Sequence, residues 1–376
     1  MKIAAVIPKY GLAGGAERFA WELCERLANR TGFQIHVFAN EWGEAPAPVV
    51  FHKIPIINFP RFFRPISFAY LVKNRLKKHV FSIVHSHERI FSMDVFTVHG
   101  IPHKTWVKET RQKQMGLFDM ATSWVEEKGI KGTRAPMLLP VSGLVKEELL
   151  KAYDMPESRV HVVHPGIALE RFSRLSRESC RAEIRERHGL SRTDLVVLFV
   201  GMNFEIKRLD LVLKSVASLS QRGKVFSELK VLIVGKGNTK RYQTMSKELG
   251  VSNRIIFVGV TQEIEKYYLA SDVFVMPSKF DTFGLAVLEA MAAGLPVIIS
   301  QKVGARDVVQ DGVTGFVLSE NPSDSELSRG LNLLINTKTR LTMGENARKL
   351  AAQYSWDRTA DRVCEIYEQL SPLREL

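Results

Sequence analysis

The chain is predicted to be an α/β protein made of two Rossmann-like domains, and three observations lead there. Short apolar runs of strand length alternate with helical patterns along almost the whole sequence, which implies parallel sheets covered on both faces. The length of 376 residues exceeds what one typical core fills. Between Pro165 and about Ser191 the texture changes to a polar, arginine-rich connector, after which the strand–helix alternation starts again.

Taken in order, Lys2–Pro8 is the first strand and opens a βα unit. The loop Lys9–Gly15 leads into a helix expected over Ala16–Asn29, and Phe33–Asn40 is the second strand. Val80–His85 and Val95–His99 are further strands, followed by one long helix over roughly Lys104–Gly129. Met137–Val141 and Val160–Val163 are expected to close the first sheet. The second set runs Leu195–Gly201, Leu229–Val234, Ile255–Val258, Val273–Met276, Val297–Ile299 and Gly315–Leu318, and the chain ends in a helix over Tyr354–Leu370. Domain limits of 1–168 and 169–354 follow. There is no internal repeat and no low-complexity tract.

Composition narrows the class. An apolar content of 45% with 25% charged residues is ordinary for a soluble globular protein. No run reaches the roughly 18 apolar residues of a membrane span, and the N-terminus enters a strand directly, so no secretion signal is expected. Three scattered cysteines, Cys24, Cys180 and Cys364, form no CxxC pair and suit a reducing cytoplasm. The net charge of +13 calls for an anionic partner or surface. No zinc-finger, RRM or KH pattern supports nucleic acid, which leaves an anionic ligand and an anionic membrane leaflet, with part of the excess serving plain solubility. Phe59–Lys78 holds six basic residues and five aromatics with no acid, and Lys104–Phe118 carries Trp106 among four more cations. Such segments suit a membrane interface, and equally a partly buried helix with a solvated basic face.

The most informative segment is Ser271–Ser300, SDVFVMPSKFDTFGLAVLEAMAAGLPVIIS. An apolar strand runs into a Pro-Ser turn, then Asp281, a Phe283-Gly284 helix start, and Glu289 about two turns on. Strand, glycine turn and helix N-terminus make an anion site at the carboxyl edge of a parallel sheet, bracketed by two carboxylates. In the second domain Lys207 and Arg208 stand at a helix start after another strand, where cations can neutralise a departing diphosphate; on a surface helix they are otherwise simply solvated. Gly14 and Gly15 permit close approach of a ligand to the first βα turn, as glycines in any such turn do. His99 ends a strand, where open sheets present ligand-binding groups. His85 and His87 are expected to point to opposite faces and to be structural. His99 and His103 lack a third ligand, and no Asp-x-Asp pair occurs, so no metal is expected. GxSxG, P-loop and GxGxxG patterns are also missing.

Pro277, Ser278, Phe283, Gly284, Glu289, Ala290, Met291, Ala292, Gly294, Pro296 and Val297 stand in the register of a long motif. That segment resembles the donor-binding signature of the retaining glycosyltransferases of family four, which have the GT-B fold, and the chain is similar to lipopolysaccharide-core glucosyltransferases within it. The departure is Asp281, where the family carries glutamate. The resemblance implies two domains facing an interdomain cleft, with the C-terminal helix (355–370) crossing back onto the first. It implies a nucleotide-diphosphate sugar as donor substrate, no separate cofactor, and a glycan or glycolipid acceptor. Glu289 would bind ribose hydroxyls. Lys207, the family's phosphate lysine, would hold the diphosphate together with Arg208, which stands where the family has glycine; Met202 replaces a frequent arginine. Asp281 and the amides of Phe283, Gly284 and Leu285 would position the sugar, and the backbone at Val260 would lie near the base. Gly14, Gly15 and His99 would meet the acceptor. Two other readings stay open: a nucleotide-sugar epimerase on the same scaffold, and a non-catalytic nucleotide-sugar-binding protein. Expected localisation is cytoplasmic, peripheral on the inner face of the membrane.

Overall fold

The computed structural model describes residues 1–12, 14–132, 135–221 and 228–370. The chain divides into two compact units. The first comprises Met1–Gly166 plus the segment from Trp356 onward, and the second comprises Ile167–Ser355.

In the first unit the strands are β1 (Lys2–Val6), β2 (Lys9–Tyr10), β3 (Gln34–Ala39), β4 (Glu41–Trp42), β5 (Val49–Lys53), β6 (Ile83–Ser86), β7 (Val95–Val98) and β8 (Met137–Pro140). Six of them form one sheet in the order β5-β3-β1-β6-β7-β8, every pair parallel. Strand order therefore reverses beside β1, between its neighbours β3 and β6. Ala4, Val6, Ile35, Val37 and Ile83 are almost fully excluded from water, as expected of strands buried on both faces.

The helix Trp356–Leu370 belongs to this unit and is strongly amphipathic. Trp356, Ala360, Val363, Ile366 and Tyr367 are buried. Trp356 packs edge-on against Phe19 at 5.4 Å, Arg26 and Arg30 reach Asp357 and Asp361 across the helix pair, and Thr359 donates to the His164 carbonyl. His85 joins the helix to the sheet, with Tyr367 Oη at 2.6 Å from Nδ1 and Thr97 Oγ1 at 2.6 Å from Nε2.

The second unit repeats the plan with β9 (Leu195–Gly201), β10 (Leu229–Gly235), β11 (Ile255–Gly259), β12 (Val273–Met276), β13 (Val297–Ser300) and β14 (Gly315–Leu318). Its sheet order is β11-β10-β9-β12-β13-β14, again all parallel. Both sheets thus have the order of a doubly wound fold, with a reversal next to the first strand. A core of Phe199, Val212, Leu213, Val216, Ile233 and Leu331 is buried between the sheet and the helices Leu209–Ser220 and Asp324–Leu333.

Three expectations need correction, and one strand was not anticipated. Val160–Val163 is not a strand; only Val160 bridges to Leu138. The edge strand β5 was not anticipated, because its partly exposed residues follow Ala-Pro-Ala-Pro and its apolar run, Val49 to Phe51, is only three residues long. The single helix over 104–129 is broken: a short turn at His103–Thr105 continues as a π-helix over Trp106–Thr110, and a separate helix spans Leu117–Ile130. Gln112 takes a positive φ of 50° and Gly116 caps the second helix, so the polar stretch between them cannot propagate a helix. His85 and His87 share a face, their rings stacked at 4.4 Å, because residues two apart on a strand project the same way.

Gly235 ends β10 at φ 126°, and a Cβ there would lie 1.9 Å from the Gly201 carbonyl oxygen. Gly312, at φ 73°, has open space around it. Gly235→Ala is therefore expected to lower the melting temperature well beyond Gly312→Ala, whose cost is only the left-handed backbone, about 1 kcal/mol. Equal shifts in thermal melts would contradict this.

Burial holds His85 and His99 down to about 3 and, with Lys2 and His52 nearby, His36 down to about 4. In the unfolded chain these groups titrate near about 6.5. Unfolding thus takes up protons below that pH. Their stabilisation is complete above about 6.5 and is lost as pH falls toward the folded values. Denaturant midpoints at pH 7 and 5 should drop accordingly, and less in His36→Asn; a level midpoint would refute the assignment.

Candidate functional site

In the second unit the carboxyl ends of β9 and β12 lie side by side, since Val273 and Phe274 pair with Val197 and Leu198. These two strands flank the point where strand order reverses, the place at which open parallel sheets leave a crevice. The loop after β9 is shaped by Asn203, whose Oδ1 accepts from the amides of Glu205 and Ile206 while its carbonyl accepts from Lys207 N. Lys279 N donates to the Ile206 carbonyl at 2.8 Å and ties this loop to the one following β12.

The loop after β12 is pinned on its far side by the chain following β13. Asp281 N donates to Lys302 O, Gly304 N to Asp281 O, and Ala305 N to Phe283 O, at 2.6–2.9 Å. Asp281 uses both carboxylate oxygens: Oδ1 accepts from Phe283 N at 3.2 Å, and Oδ2 pairs with Lys207 Nζ. Both side chains are mostly withdrawn from water, at 16% and 17% exposure. An ion pair in that setting holds its geometry because breaking it strands a poorly solvated charge.

Gly284 follows at φ 88° and caps the helix Leu285–Ala292. A Cβ there would meet Met276 Cε at 2.5 Å, so glycine is required both for the turn and for the contact beneath it. The first amides of that helix have no acceptor within it and point their dipole toward the same loop. Glu289 lies one turn and a residue further along, half-buried, and its Oε2 accepts from the buried Tyr268 hydroxyl at 2.9 Å. Lys207, Asp281, Phe283, Gly284, Leu285 and Glu289 thus belong to one sheet edge and the helix that rises from it.

Arg208 stands apart from that cluster. It takes a left-handed conformation at φ 59°, and its Nε lies 3.3 and 3.4 Å from the two Asp210 carboxylate oxygens. Val260, after β11, is an exposed residue next to Gly259 at φ 83°. Met202 at the end of β9 is also exposed.

Gly14, Gly15 and His99 belong to the first unit. Gly14 caps the helix Gly15–Ala28, and Arg18 N donates to its carbonyl. His99 Nε2 lies 3.2 Å from His87 Nδ1, and its ring meets Phe19 edge-on at 5.1 Å. Burial, aided by Arg89, keeps it neutral, with a pKa lowered to about 3. A neutral imidazole there can exchange hydrogen bonds with a hydroxyl but carries no charge.

Three residues escaped the sequence reading. Tyr268 orients Glu289 from 21 positions away, with no local signal. Asn203 is legible afterwards as an Asx turn following a strand. Glu17, in the first turn of the helix Gly15–Ala28, has its carboxyl raised chiefly by burial and further by Glu88. Among the described residues no group of three or more His, Cys, Asp or Glu is placed to hold a metal, and no helix is long and apolar enough to cross a membrane.

Residues 13–171 match Glycosyltransferase Family 4, and residues 181–350 match Glycosyl transferases group 1. A D-inositol 3-phosphate glycosyltransferase of Salinispora arenicola (strain CNS-205) is 32% identical over 58% of this chain, which spans about half (52%) of that relative's length. The lipopolysaccharide glucosyltransferase WaaG of Escherichia coli (strain K12) is 24% identical over 93% of this chain and 94% of its own. The crystal structure of a WaaG superposes with a TM-score of 0.82 at 21% identity, covering 97% of this chain and 99% of that one. HepE from Anabaena, solved in complex with UDP-glucose, gives 0.75 at 18% identity, covering 98% and 100%. Two adjoining family matches, one on each doubly wound unit, make this chain a member of the family-four, group 1 glycosyltransferases with the GT-B fold.

Proposed function

We propose that the protein transfers a hexose from a nucleotide-diphosphate sugar to a hydroxyl of a glycan or glycolipid acceptor, with retention at the anomeric carbon, in lipopolysaccharide or related cell-envelope synthesis. The observation that carries this reading is the Lys207–Asp281 pair at the β9–β12 crevice, with Glu289 on the helix that starts there. A diphosphate entering the crevice competes with Asp281 for Lys207. It gains the helix-start amides of Leu285 and its neighbours, and it frees Asp281 to face the sugar hydroxyls. Glu289, fixed by Tyr268, suits a ribose diol, since a carboxylate accepts from two vicinal hydroxyls. Val260, exposed beyond β11, would lie near the base. In a front-face mechanism the leaving diphosphate itself guides the acceptor proton, so Asp281 need not attack carbon.

Arg208 serves the diphosphate only after leaving Asp210; in the unliganded chain it completes a left-handed turn instead. The acceptor is received by the first unit, where Gly14, Gly15 and neutral His99 offer amides and an uncharged hydrogen-bonding ring. WaaG, aligned over nearly the full length of both chains, supports a lipopolysaccharide role.

Peripheral attachment to an anionic membrane fits the first unit. Phe59, Phe63 and Tyr70 on or before the helix Phe63–Leu76, and Leu117, Met120 and Trp124 on the helix Leu117–Ile130, are exposed large apolar residues. They stand among Arg61, Arg64, Lys73, Lys77, Lys78 and Lys128. Basic residues near such a surface contribute about 1 kcal/mol each.

The donor reading is tested by thermal shift against UDP-, GDP- and ADP-sugars, one of which should raise the melting temperature. Lys207→Ala should cut kcat about 10²–10³-fold. Glu289→Gln should instead raise the donor KM about tenfold and abolish the preference for ribose over 2′-deoxyribose donors. Donor consumed without acceptor, giving an epimeric sugar, would replace transfer by epimerisation.

For the membrane, flotation with phosphatidylglycerol vesicles should carry the protein upward at low salt and release it at high salt. Flotation that ignores salt, or none at all, would end the proposal.

A further inference from the structure

The first unit contains a pocket of about 220 Å³ that none of the donor- or acceptor-site residues assigned above lines; of the basic membrane-facing set, Arg64 reaches it. Its walls include Pro8, Ile56, Arg64, Phe68, Glu88 and Arg89, with His103, Phe118 and Thr122 beyond them. Pro8 follows β1, Glu88 and Arg89 follow β6, and His103 follows β7, so the pocket opens at the carboxyl edge of the sheet. β1 and β6 flank the point where strand order reverses, the same crevice position that β9 and β12 provide in the second unit. The helices Phe63–Leu76 and Leu117–Ile130 close the sides with Arg64, Phe68, Phe118 and Thr122.

The charges there are unequally satisfied. Arg89 is bound by Glu126, a buried carboxylate that also accepts from Tyr153 Oη and His103 N, and it lies 3.5 Å from Glu88. His103 is held by Asp119 at 3.0 Å. Arg61 stacks its guanidinium on the Phe118 ring at 4.6 Å. Arg64 is exposed and has no carboxylate within ion-pair distance among the described residues. The lining is therefore apolar on one side, through Ile56, Pro65, Phe68 and Phe118. It carries one carboxylate suited to hydroxyls, Glu88, and an uncommitted cation at the mouth. Its volume falls below the roughly 300 Å³ at which drug-sized sites begin, which suits one ring rather than a chain.

We infer that this pocket binds a single sugar unit bearing an anionic substituent, phosphate or carboxylate, as part of the acceptor. The apolar face of the ring lies against Phe68 and Phe118, Glu88 accepts from its hydroxyls, and Arg64, with Arg61 beside it, meets the negative group. The inference rests on the reading of the first unit as the acceptor side.

Binding to the full chain is measured by saturation-transfer NMR and calorimetry with three probes: glucose 6-phosphate, glucuronate and methyl glucoside. At least one anionic probe should bind about tenfold more tightly than methyl glucoside, and the two anionic arms identify phosphate or carboxylate as the group recognised. Arg64→Ala should weaken that probe about tenfold, Ile56→Trp should abolish its binding by filling the pocket, and Arg75→Ala, on the same helix but outside the lining, should change nothing. Neither anionic probe binding, equal loss in Arg64→Ala and Arg75→Ala, binding that survives Ile56→Trp, or uptake of phosphatidylglycerol vesicles alone would each overturn the proposal. Nucleoside diphosphate binding is followed in the same variants and should be unaffected. If the wild type binds a sugar phosphate through Arg64 but no nucleotide, the donor reading fails while the pocket stands.

Discussion

The parallel pairing of β9 with β12 is the constraint on which the second unit depends. These strands are joined through only two residue pairs, Val273 with Val197 and Phe274 with Leu198, yet that contact sets two loop beginnings side by side. Lys207 and Asp281, 74 residues apart in sequence, meet because their loops start from neighbouring strand ends. The strands are held together by near-total burial of Val197, Leu198, Val273 and Phe274 on both faces of the sheet, where a backbone group left unpaired would find no water. A fully apolar sheet with its polar groups gathered at one edge is the physical basis of the site.

That edge is rigid before any ligand arrives. Asp281 is fixed by an amide, a lysine and two backbone hydrogen bonds to the chain after β13, so little conformational freedom is left to lose on binding. The shorter side chain at this position has a local explanation. Aspartate reaches the Phe283 amide two residues ahead in an Asx turn, a contact whose ring a glutamate would enlarge by one methylene. Arg208 is the converse case. It occupies a left-handed position suited to glycine, and Asp210 takes up its charge.

The first unit has the same sheet order but different chemistry at its edge. His85 and His99 are kept neutral by burial, and Arg89 is absorbed by Glu88 and Glu126. The C-terminal helix completes this unit through Trp356, Tyr367 and two arginine–aspartate pairs, so truncating the chain before Trp356 would expose Phe19 and leave His85 without Tyr367.

The sequence by itself determined the α/β class, twelve apolar or glycine-ended segments of which eleven became sheet strands close to where they were expected, and Asp281, Gly284 and Glu289 as neighbours in one segment, with Lys207 at a separate helix start. Those features are local: apolar runs set strands, a glycine sets the turn before a helix, and charged residues stand out against an apolar background. Two of the failed expectations were local as well. Val160–Val163 has the composition of a strand but finds only one bridge, and the 104–129 segment has helical spacing interrupted by a residue with positive φ. The edge strand β5 and the partnership of Tyr268 with Glu289 were decided by tertiary structure, as was the pocket between the helices Phe63–Leu76 and Leu117–Ile130. Each depends on which strand ends become neighbours, and that is set by packing of the whole sheet rather than by any stretch of chain.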